Sequence, residues 1–297
     1  MCDDITVQED NEYLKNAATK EAGNLTRRQF GKVAVGASVM MALPAIADAK
    51  AVQESEIVVK TPDGEADCYF VHPTEGKHPA VIVWPDIIGL RPAFKAMGKR
   101  LAESGYAVLV VNPFYRAKKA PVVAEGASFQ DPDTRSTLIG FARQLNATTH
   151  MTDAKAFVEF LDGQSPVDTK RKIGTTGYCM GGPIVLRTAA AVPTRIGAGA
   201  TFHGGGLVTE ADDSPHKLIP EMKADFLIAI AENDDERDSE SKNVLKADFA
   251  KAGLAAEIEV YEGAMHGWCP PDSRVYNEAQ AEKAWRRLLA LFEKALA

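Results

Sequence analysis

The residue types with the clearest chemistry lie in the string Gly-Tyr-Cys-Met-Gly-Gly at residues 177–182. A short apolar run precedes this string, and an apolar, helix-forming run follows it. This order predicts a sharp strand-to-helix turn, in which glycines on both sides of a nucleophile leave room for a strained backbone and an exposed side chain. Such a turn places the Cys179 sulfur at a helix N-terminus, where unpaired N–H groups and the helix dipole favour a thiolate. The alternative is an ordinary buried cysteine in a glycine-rich turn.

The partners that a cysteine nucleophile needs follow downstream. An acidic string at the end of a buried strand holds Asp234 and Asp235, and His266 follows the next strand. A histidine can take the thiol proton and later activate water, and an acid fixes the tautomer of the imidazole and stabilises the imidazolium. The order nucleophile, acid, histidine is that of α/β-hydrolases. Asp234 is favoured because it ends the strand more directly and side-chain direction alternates there, but Asp235 stays a candidate. Taken singly, the acidic string also fits a solvated turn and His266 an ordinary loop histidine.

Two backbone N–H groups are predicted to stabilise the oxyanion that forms when such a nucleophile attacks a carbonyl group. One belongs to Met180, next to the nucleophile, and the other to the loop that holds Asp86 and Ile87. The string His-Gly-Gly-Gly at residues 203–206 resembles the oxyanion motif of lipases, but it follows the nucleophile instead of preceding it. We therefore expect a glycine-rich turn at the rim of a pocket, with His203 in the pocket wall.

The apolar pattern predicts the elements that position these residues. Continuous apolar runs bounded by turn residues are typical of buried parallel strands, and here they alternate with runs of helical periodicity. The predicted strands are residues 80–84, 106–111, 196–202, 224–231 and 256–261, with a further short strand that ends at Gly177; the predicted helices are residues 92–103, 151–161, 239–252 and 277–296. This alternation indicates parallel βαβ units, and therefore an α/β fold with a mostly parallel sheet and helices on both faces.

Two segments depart from this rhythm. Residues 57–71 alternate like strands on both sides of a Pro-Asp-Gly turn at residues 62–64, which predicts a hairpin. Residues 112–146 have a weak pattern, with one helix predicted near residues 133–145. Long insertions at strand ends often cover the ligand site in such folds, and a solvated surface segment is the alternative.

The N-terminal residues 1–49 are predicted to be an export signal and not part of the core. A polar, acidic stretch is followed by paired arginines at residues 27–28, an apolar run at residues 33–45 and small-residue cleavage sites. The apolar run is shorter than the ~20 residues that span a bilayer. We expect cleavage after Ala49 by the twin-arginine route, a periplasmic protein and a single domain over residues 50–297. The alternative is an uncleaved amphipathic helix.

Composition limits the classes of partner. An apolar content of 45% and a charged content of 25% are ordinary for a soluble globular protein, and the net charge of −7 argues against nucleic acid or an anionic membrane. The chain has neither a Cys-x-x-Cys pair nor a His-Glu-x-x-His motif, so we expect no metal and no cofactor. The expected partners are a small-molecule substrate and, during transport, the twin-arginine export machinery, without a stable membrane anchor. Cys269 is expected to be a packed thiol; a disulfide with Cys179 is the alternative.

The string at residues 177–182, Asp234 and the His-Gly pair at residue 266 together resemble the dienelactone hydrolases, a cysteine branch of the α/β-hydrolases. The resemblance extends over residues 54–297. It implies hydrolysis of a small lactone or enol ester through a thioester acyl-enzyme. A cysteine suits this reaction because a stabilised enolate leaves easily, so that a powerful alkoxide nucleophile is unnecessary.

The resemblance also implies roles for three further residues. The loop at residues 84–90 is similar to a family segment in which a glutamate holds the resting thiol, and that position falls on Asp86, which is one methylene shorter. Tyr115 and Arg116 lie where the family places residues that receive a substrate carboxylate. Two other functions remain open on the same fold: a thioesterase or other carboxylesterase, and a catalytically silent binding or scaffold protein.

Overall fold

Eight strands form one sheet in the computed structural model, which describes residues 4–22 and 40–297. The strands are β1 (Val52–Thr61), β2 (Gly64–Pro73), β3 (Ala80–Trp84), β4 (Ala107–Val111), β5 (Ile173–Tyr178), β6 (Ile196–Phe202), β7 (Asp225–Ala231) and β8 (Ala256–Tyr261). The α-helices are α1 (Asp4–Ala22), α2 (Pro92–Glu103), α3 (Pro132–Ala142), α4 (Ala147–Asp162), α5 (Gly181–Ala191), α6 (Glu232–Arg237), α7 (Ser241–Ala252) and α8 (Glu278–Ala295), and a 3₁₀ helix covers Pro215–Glu221.

The strand order is β1-β2-β4-β3-β5-β6-β7-β8. The β1–β2 and β2–β4 pairs are antiparallel and the remaining pairs are parallel, which confirms the predicted hairpin and the mostly parallel sheet. The order reverses between β3 and β5, where Trp84 lies beside Gly177. Ligands of open α/β sheets bind beyond the carboxyl ends of the strands at such a reversal. The loop after β3 and the turn after β5 therefore flank the expected site.

Alternating side chains of the buried strands pack against helices on opposite faces. Val81 and Val83 of β3 belong to the apolar cluster that contains α2 and α8 side chains, whereas Ile82 and Trp84 belong to the cluster with α4, α5 and α7. This alternation follows from the two-residue period of a strand. The helices on both faces confirm the predicted α/β architecture.

Two segments show more structure than the sequence indicated. The acidic string after β7, for which a solvated turn was the alternative, forms the short helix α6. The polar start of the chain forms α1, and its Thr6 is 5% exposed, so this helix packs against the rest of the chain. The paired arginines and most of the apolar run of the predicted export signal lie outside the described residues.

Candidate active site

Cys179 lies on the tight turn between β5 and α5, with a backbone φ of 52°. A positive φ is strained for a residue with a side chain, and glycines on both sides make the turn feasible. A Cβ on Gly177 would lie 2.2 Å from the carbonyl oxygen of Gly181, and a Cβ on Gly181 would lie 2.3 Å from the carbonyl oxygen of Trp84. The strand, the helix and the loop after β3 can approach this closely only because these positions lack side chains.

Substituting Gly181 tests this close approach. Gly181→Ala is expected to lower the free energy of unfolding by about 1–3 kcal/mol, because the added carbon overpacks a backbone contact, and to lower activity by moving the loop that flanks Cys179. The control is Gly140→Ala in α3, where an added Cβ meets no atom within 4 Å. This control should be neutral or stabilising by a few tenths to about 1 kcal/mol, since alanine favours a helix. Equal denaturant midpoints for the two variants would contradict the packing argument.

His266 follows β8 and contacts the acid that follows β7. Its Nδ1 lies 2.7 Å from Asp234 Oδ2, and its backbone N–H donates to Asn233 Oδ1 at 2.8 Å. Asp235 instead pairs with Lys242 on α7. Of the two acids that the sequence left open, the structure brings Asp234 to His266, because successive residues of α6 point in different directions.

Charges around His266 favour its protonated form. Burial by itself would lower the pKa of His266, but the Asp234 carboxylate and the Cys179 sulfur outweigh burial and raise this pKa to about 10. Burial likewise opposes ionisation of Asp234, yet His266 holds the pKa of that carboxyl below its usual range. The raised pKa of His266 and the lowered pKa of Asp234 both indicate a buried carboxylate–imidazolium pair with the sulfur beside it. Such a pair can keep a cysteine as thiolate at neutral pH.

The raised pKa of His266 has a defined consequence for pH dependence. Because the imidazole of an unfolded chain titrates near pH 6.5, its contribution to folding is fully present below about pH 6.5 and is lost as pH rises through about 10. We expect NMR titration to show His266 charged throughout neutrality, and Asp234→Asn to lower its midpoint. A wild-type midpoint near 6.5 would contradict the ion pair.

A cavity of about 460 Å³ opens at the carboxyl ends of β3, β5 and β6. Cys179, His203 and His266 line it together with Asp86, Ile87 and residues 120–130, so part of the long segment after β4 covers the site. Within residues 40–297, the N–H groups of Met180 and Ile87 donate to no protein acceptor, whereas the N–H groups of Ile88 and Gly89 donate to Asp86. Two donors are therefore available on the loops that flank Cys179.

Asp86 belongs to a buried ion cluster. Both of its oxygens accept from Arg91, at 2.7 and 2.9 Å, and the same guanidinium donates to Asp272 at 2.6 and 2.9 Å. Burial raises the pKa of Asp86, and Arg91 opposes that rise. The cluster ties the loop after β3 to the loop after β8, so it holds two walls of the cavity at a fixed separation.

Tyr115 and Arg116, which the resemblance placed at the substrate carboxylate, lie elsewhere. Arg116 binds Asp153 at 2.6 and 2.8 Å and Asp63 at 2.6 and 3.0 Å, and the Tyr115 hydroxyl donates to Asp153 at 2.8 Å. Neither residue lines the cavity. The expectation is corrected in this respect, because α4 and the β1–β2 turn supply carboxylates that occupy both side chains.

The structure also shows residues that the sequence analysis did not single out. Asn233 holds the His266 backbone, Arg91 and Asp272 form the ion cluster, and Thr6 and Asp10 of α1 reach the cavity. Asn233 and Asp272 each lie close in sequence to a predicted site residue, so proximity was an available signal. Nothing local in the sequence indicates that α1, more than 200 residues away from His266, lies beside it.

Other features of the described residues bear on cofactors and thiols. No group of three or more His, Cys, Asp or Glu side chains in residues 4–22 and 40–297 is arranged to hold a metal ion. None of the helices in these two ranges is both long and apolar enough to cross a membrane. Among the described residues, Cys68, Cys179 and Cys269 form no disulfide, and Cys269 lies in a separate small cavity beside α8.

Comparisons with known proteins agree with this fold. A carboxymethylenebutenolidase of Rhodococcus opacus is 25% identical over 224 residues, which are 74% of this chain and 83% of that protein. The dienelactone hydrolase-like promiscuous phosphotriesterase P91 from metagenomic libraries superposes with a TM-score of 0.67 at 20% identity, covering 83% of this chain and 100% of that one. A dienelactone hydrolase from Anabaena variabilis gives a TM-score of 0.59 at 16% identity, covering 83% and 99%. At such identities the two structures establish the fold alone.

The sequence profile of the Dienelactone hydrolase family matches residues 66–296, which contain every strand from β3 to β8 and both loops that flank Cys179. The match therefore includes the edge of the sheet at which the cavity opens. This chain belongs to the dienelactone hydrolase family and is a carboxylic ester hydrolase with that family's fold.

Proposed function

We propose that this chain hydrolyses a small lactone or enol ester through a thioester on Cys179, with His266 and Asp234 as its partners. The observation that supports the proposal is the 2.7 Å contact between His266 Nδ1 and Asp234 Oδ2 at a cavity that Cys179 also lines. Asp234 orients the ring so that its other nitrogen is available to the sulfur. A buried thiol without such partners would carry no comparable charge arrangement.

In the first half of the proposed reaction, the Cys179 thiolate attacks the ester carbonyl carbon. The carbonyl oxygen becomes an oxyanion, which the N–H groups of Met180 and Ile87 stabilise. The carbon–oxygen bond of the ester then breaks, and the leaving oxygen takes the proton of the His266 imidazolium. A thioester and a neutral imidazole result.

In the second half, neutral His266 accepts a proton from water, and the hydroxide attacks the thioester carbon. The oxyanion forms at the same two N–H groups. When it collapses, the carbon–sulfur bond breaks and Cys179 leaves as thiolate, next to the imidazolium that has just formed. The raised pKa of His266 favours this return of the ion pair.

Asp86 has a role other than holding the resting thiol. Its side chain accepts from the Ile88 N–H and from Arg91, and its carbonyl accepts from Gly89. These bonds fix the loop after β3 in a conformation that leaves the Ile87 N–H without an acceptor in residues 40–297. We therefore assign Asp86 as a positioning residue for the oxyanion site.

The cations at the cavity differ in whether a carboxylate of the protein already pairs with them. The buried cation Arg91 already contacts two carboxylates, and Lys95 pairs with Glu56. Arg116 is occupied by Asp153 outside the cavity. Among the described residues, Arg274 also lines the cavity and donates to the Asn11 amide oxygen at 3.3 Å, without an ion pair to a carboxylate, so a substrate carboxylate has a cation to pair with.

Trapping the acyl-enzyme tests the reaction. Brief exposure to a neutral lactone or p-nitrophenyl ester should add the acyl mass to intact wild-type protein and none to Cys179→Ala. Turnover of thioesters alone would favour the thioesterase alternative, and absence of any adduct with measurable turnover would contradict the covalent route.

We also propose that residues 1–49 direct export through the twin-arginine machinery and are cleaved after Ala49, so that the protein acts in the periplasm. The paired arginines, the short apolar run and the small-residue sites support this proposal. Replacing both arginines at residues 27–28 by lysine should retain the full-length chain inside the cell. N-terminal sequencing of exported protein should begin at Lys50, and export of the variant would contradict the proposal.

A further inference from the structure

His203 is a second imidazole at the nucleophile that the reaction described above does not use. Its side chain is 1% exposed and lines the cavity with Cys179 and His266. Its ring centroid lies 5.0 Å from that of His266 and 5.1 Å from that of Trp268, both edge-on. Within the described ranges, neither ring nitrogen makes a well-aligned hydrogen bond to any oxygen, nitrogen or sulfur atom. Buried polar atoms without partners are rare, and at a catalytic site they indicate a role in the reaction.

The backbone of His203 is strained. Its φ is 42°, a left-handed conformation that residues with side chains seldom adopt. Its N–H donates to Ala229 of β7 at 2.9 Å, and the neighbouring Cys179 N–H donates to Phe202 at 3.0 Å. A Cβ on Gly182 would lie 2.6 Å from the Cα of Gly204. The end of β6 is therefore packed against the start of α5, so the imidazole and the sulfur are held by the same contacts.

The ring is neutral and has an N–H to donate. Burial lowers the pKa of His203 and the positive charge of His266 adds to this, while the nearby Cys179 sulfur acts in the opposite direction. A neutral imidazole carries one N–H donor and one acceptor. The Cys179 sulfur lies close enough to the ring to affect this pKa, and it lines the same cavity.

We propose that His203 is a positioning residue that donates a hydrogen bond to the Cys179 thiolate and thereby keeps the sulfur ionised and aimed at the substrate carbonyl. This inference rests on the proposed role of Cys179 as a thiolate nucleophile. The sulfur then has two imidazole partners with different tasks. His266 exchanges the proton, and His203 keeps its own proton throughout the reaction.

The test is the pH dependence of Cys179 alkylation, because iodoacetamide reacts with the thiolate and the readout needs no ester turnover. His203→Phe keeps a flat ring without a donor and should raise the alkylation midpoint by about one pH unit, a tenfold loss of thiolate below the midpoint. His203→Asn and His203→Gln each retain an N–H donor, and at least one should restore the midpoint. KM for a neutral ester should change less than kcat.

The matched control is His150→Gln on α4, which alters a buried histidine that binds Arg187 and does not line the cavity. Its alkylation midpoint should equal that of the wild type. A His203→Phe midpoint within about 0.2 units of the wild type would overturn the proposal, and so would failure of both amide variants to restore it. If alkylation shifts as expected while no ester is hydrolysed by any form, His203 keeps its role and the proposed reaction is wrong.

A different observation concerns α1, which lies across the mouth of the same cavity. Glu9 accepts from Asn233 and from Arg237, the latter at 2.8 Å, and so binds α6 beside Asp234. On the other side, Asn11 contacts Gln130 at 3.4 Å and Arg274 at 3.3 Å. The helix therefore spans the cavity from α6 to the segment after β4.

The inner face of α1 enters the cavity. Thr6, Val7 and Asp10 line it together with Cys179 and His266. Burial raises the pKa of Asp10 to about 6, although His266 and Arg274 act to lower it, and its Oδ1 has no hydrogen-bond partner among the described residues. A carboxylate held there occupies space that a substrate needs.

We infer that α1 is a cover that slows access to Cys179 in the full-length chain. The surface that receives it consists of Asn233, Arg237, Gln130 and Arg274, and it fits a helix with an acidic and amide-rich face. If residues 1–49 are cleaved as proposed above, the cover leaves with them and the enzyme becomes fully open only after export.

Charge reversal in the full-length chain tests the cover. Glu9→Arg should speed alkylation of Cys179 by about threefold or more, since it replaces an ion pair by repulsion, and adding Arg237→Glu should restore the slow rate. Glu12→Arg makes the same change at an exposed position of α1 and should alter nothing. Equal alkylation rates in wild type and Glu9→Arg would overturn the inference. Because alkylation is measured, the result is independent of which ester is the substrate.

Discussion

Cys179→Ala is expected to lower kcat/KM for ester hydrolysis by a thousandfold or more, to roughly the level that an oxyanion site and binding alone supply. The alanine leaves the turn, the two N–H groups and the cavity in place, so the loss reports the nucleophile and not the fold. The measurement is steady-state hydrolysis of a neutral p-nitrophenyl ester by purified protein. Circular dichroism and the denaturant midpoint should stay close to those of the wild type.

The matched control for this variant is Cys269→Ala, which removes another buried thiol from the same protein. Cys269 is 6% exposed and lies in a separate small cavity with Tyr178 and Leu288, so its loss should cost stability but little activity. His266→Ala should resemble Cys179→Ala, and the double variant should be no worse than either, because residues that act as a unit are not additive. Retention of more than about a tenth of wild-type kcat/KM by Cys179→Ala would refute the assigned nucleophile.

Asp234→Asn is expected to lower kcat/KM by about a hundred- to ten-thousandfold. The amide occupies the same volume but removes the charge that raises the pKa of His266, and its NH₂ group favours the wrong tautomer of the ring. The resting imidazolium is then lost near neutral pH, and with it the thiolate. The pH midpoint of Cys179 alkylation should rise in parallel, which separates an electrostatic effect from a simple loss of folded protein.

Asp235→Asn is the control at the adjacent position. Asp235 pairs with Lys242 on α7, a half-buried pair whose loss should change stability by no more than about 1 kcal/mol and activity by less than about twofold. A large loss of activity in Asp235→Asn together with a small one in Asp234→Asn would show that the acid was assigned to the wrong residue.

Much of the fold was predictable because the signals are local. The bounds of β3, β6 and β8 and of α2 agree with the predicted ranges to the residue. In each case a continuous apolar run or a helical period ends at glycine, proline or a polar turn. These residues favour the end of a strand or helix through their own backbone conformation. The acidic string at residues 232–236 was less predictable, because a six-residue helix has too few positions to show a period.

The candidate site also has features that local sequence predicts and features that it does not. The turn at Cys179 is predictable because Gly177 and Gly181 lack side chains. The acid and the histidine are predictable because they follow strands that end at one edge of a parallel sheet. The choice between Asp234 and Asp235 depends on how α6 is rotated against β8, which no local pattern contains. Arg116 likewise meets its partner Asp153 only because α4 crosses the sheet beside it.

The turn that holds Cys179 was determined by the sequence alone, since glycine spacing and apolar runs specify a strand-to-helix turn wherever they occur. The tertiary structure alone decided what surrounds the sulfur: His266 with Asp234 on one side, His203 on another, and α1 across the opening. The physical reason is that burial, charge and hydrogen-bond partners at a site are set by segments far apart in the chain. His203 after β6 and the helix α1 lie at Cys179 only because tertiary packing brings these distant segments together.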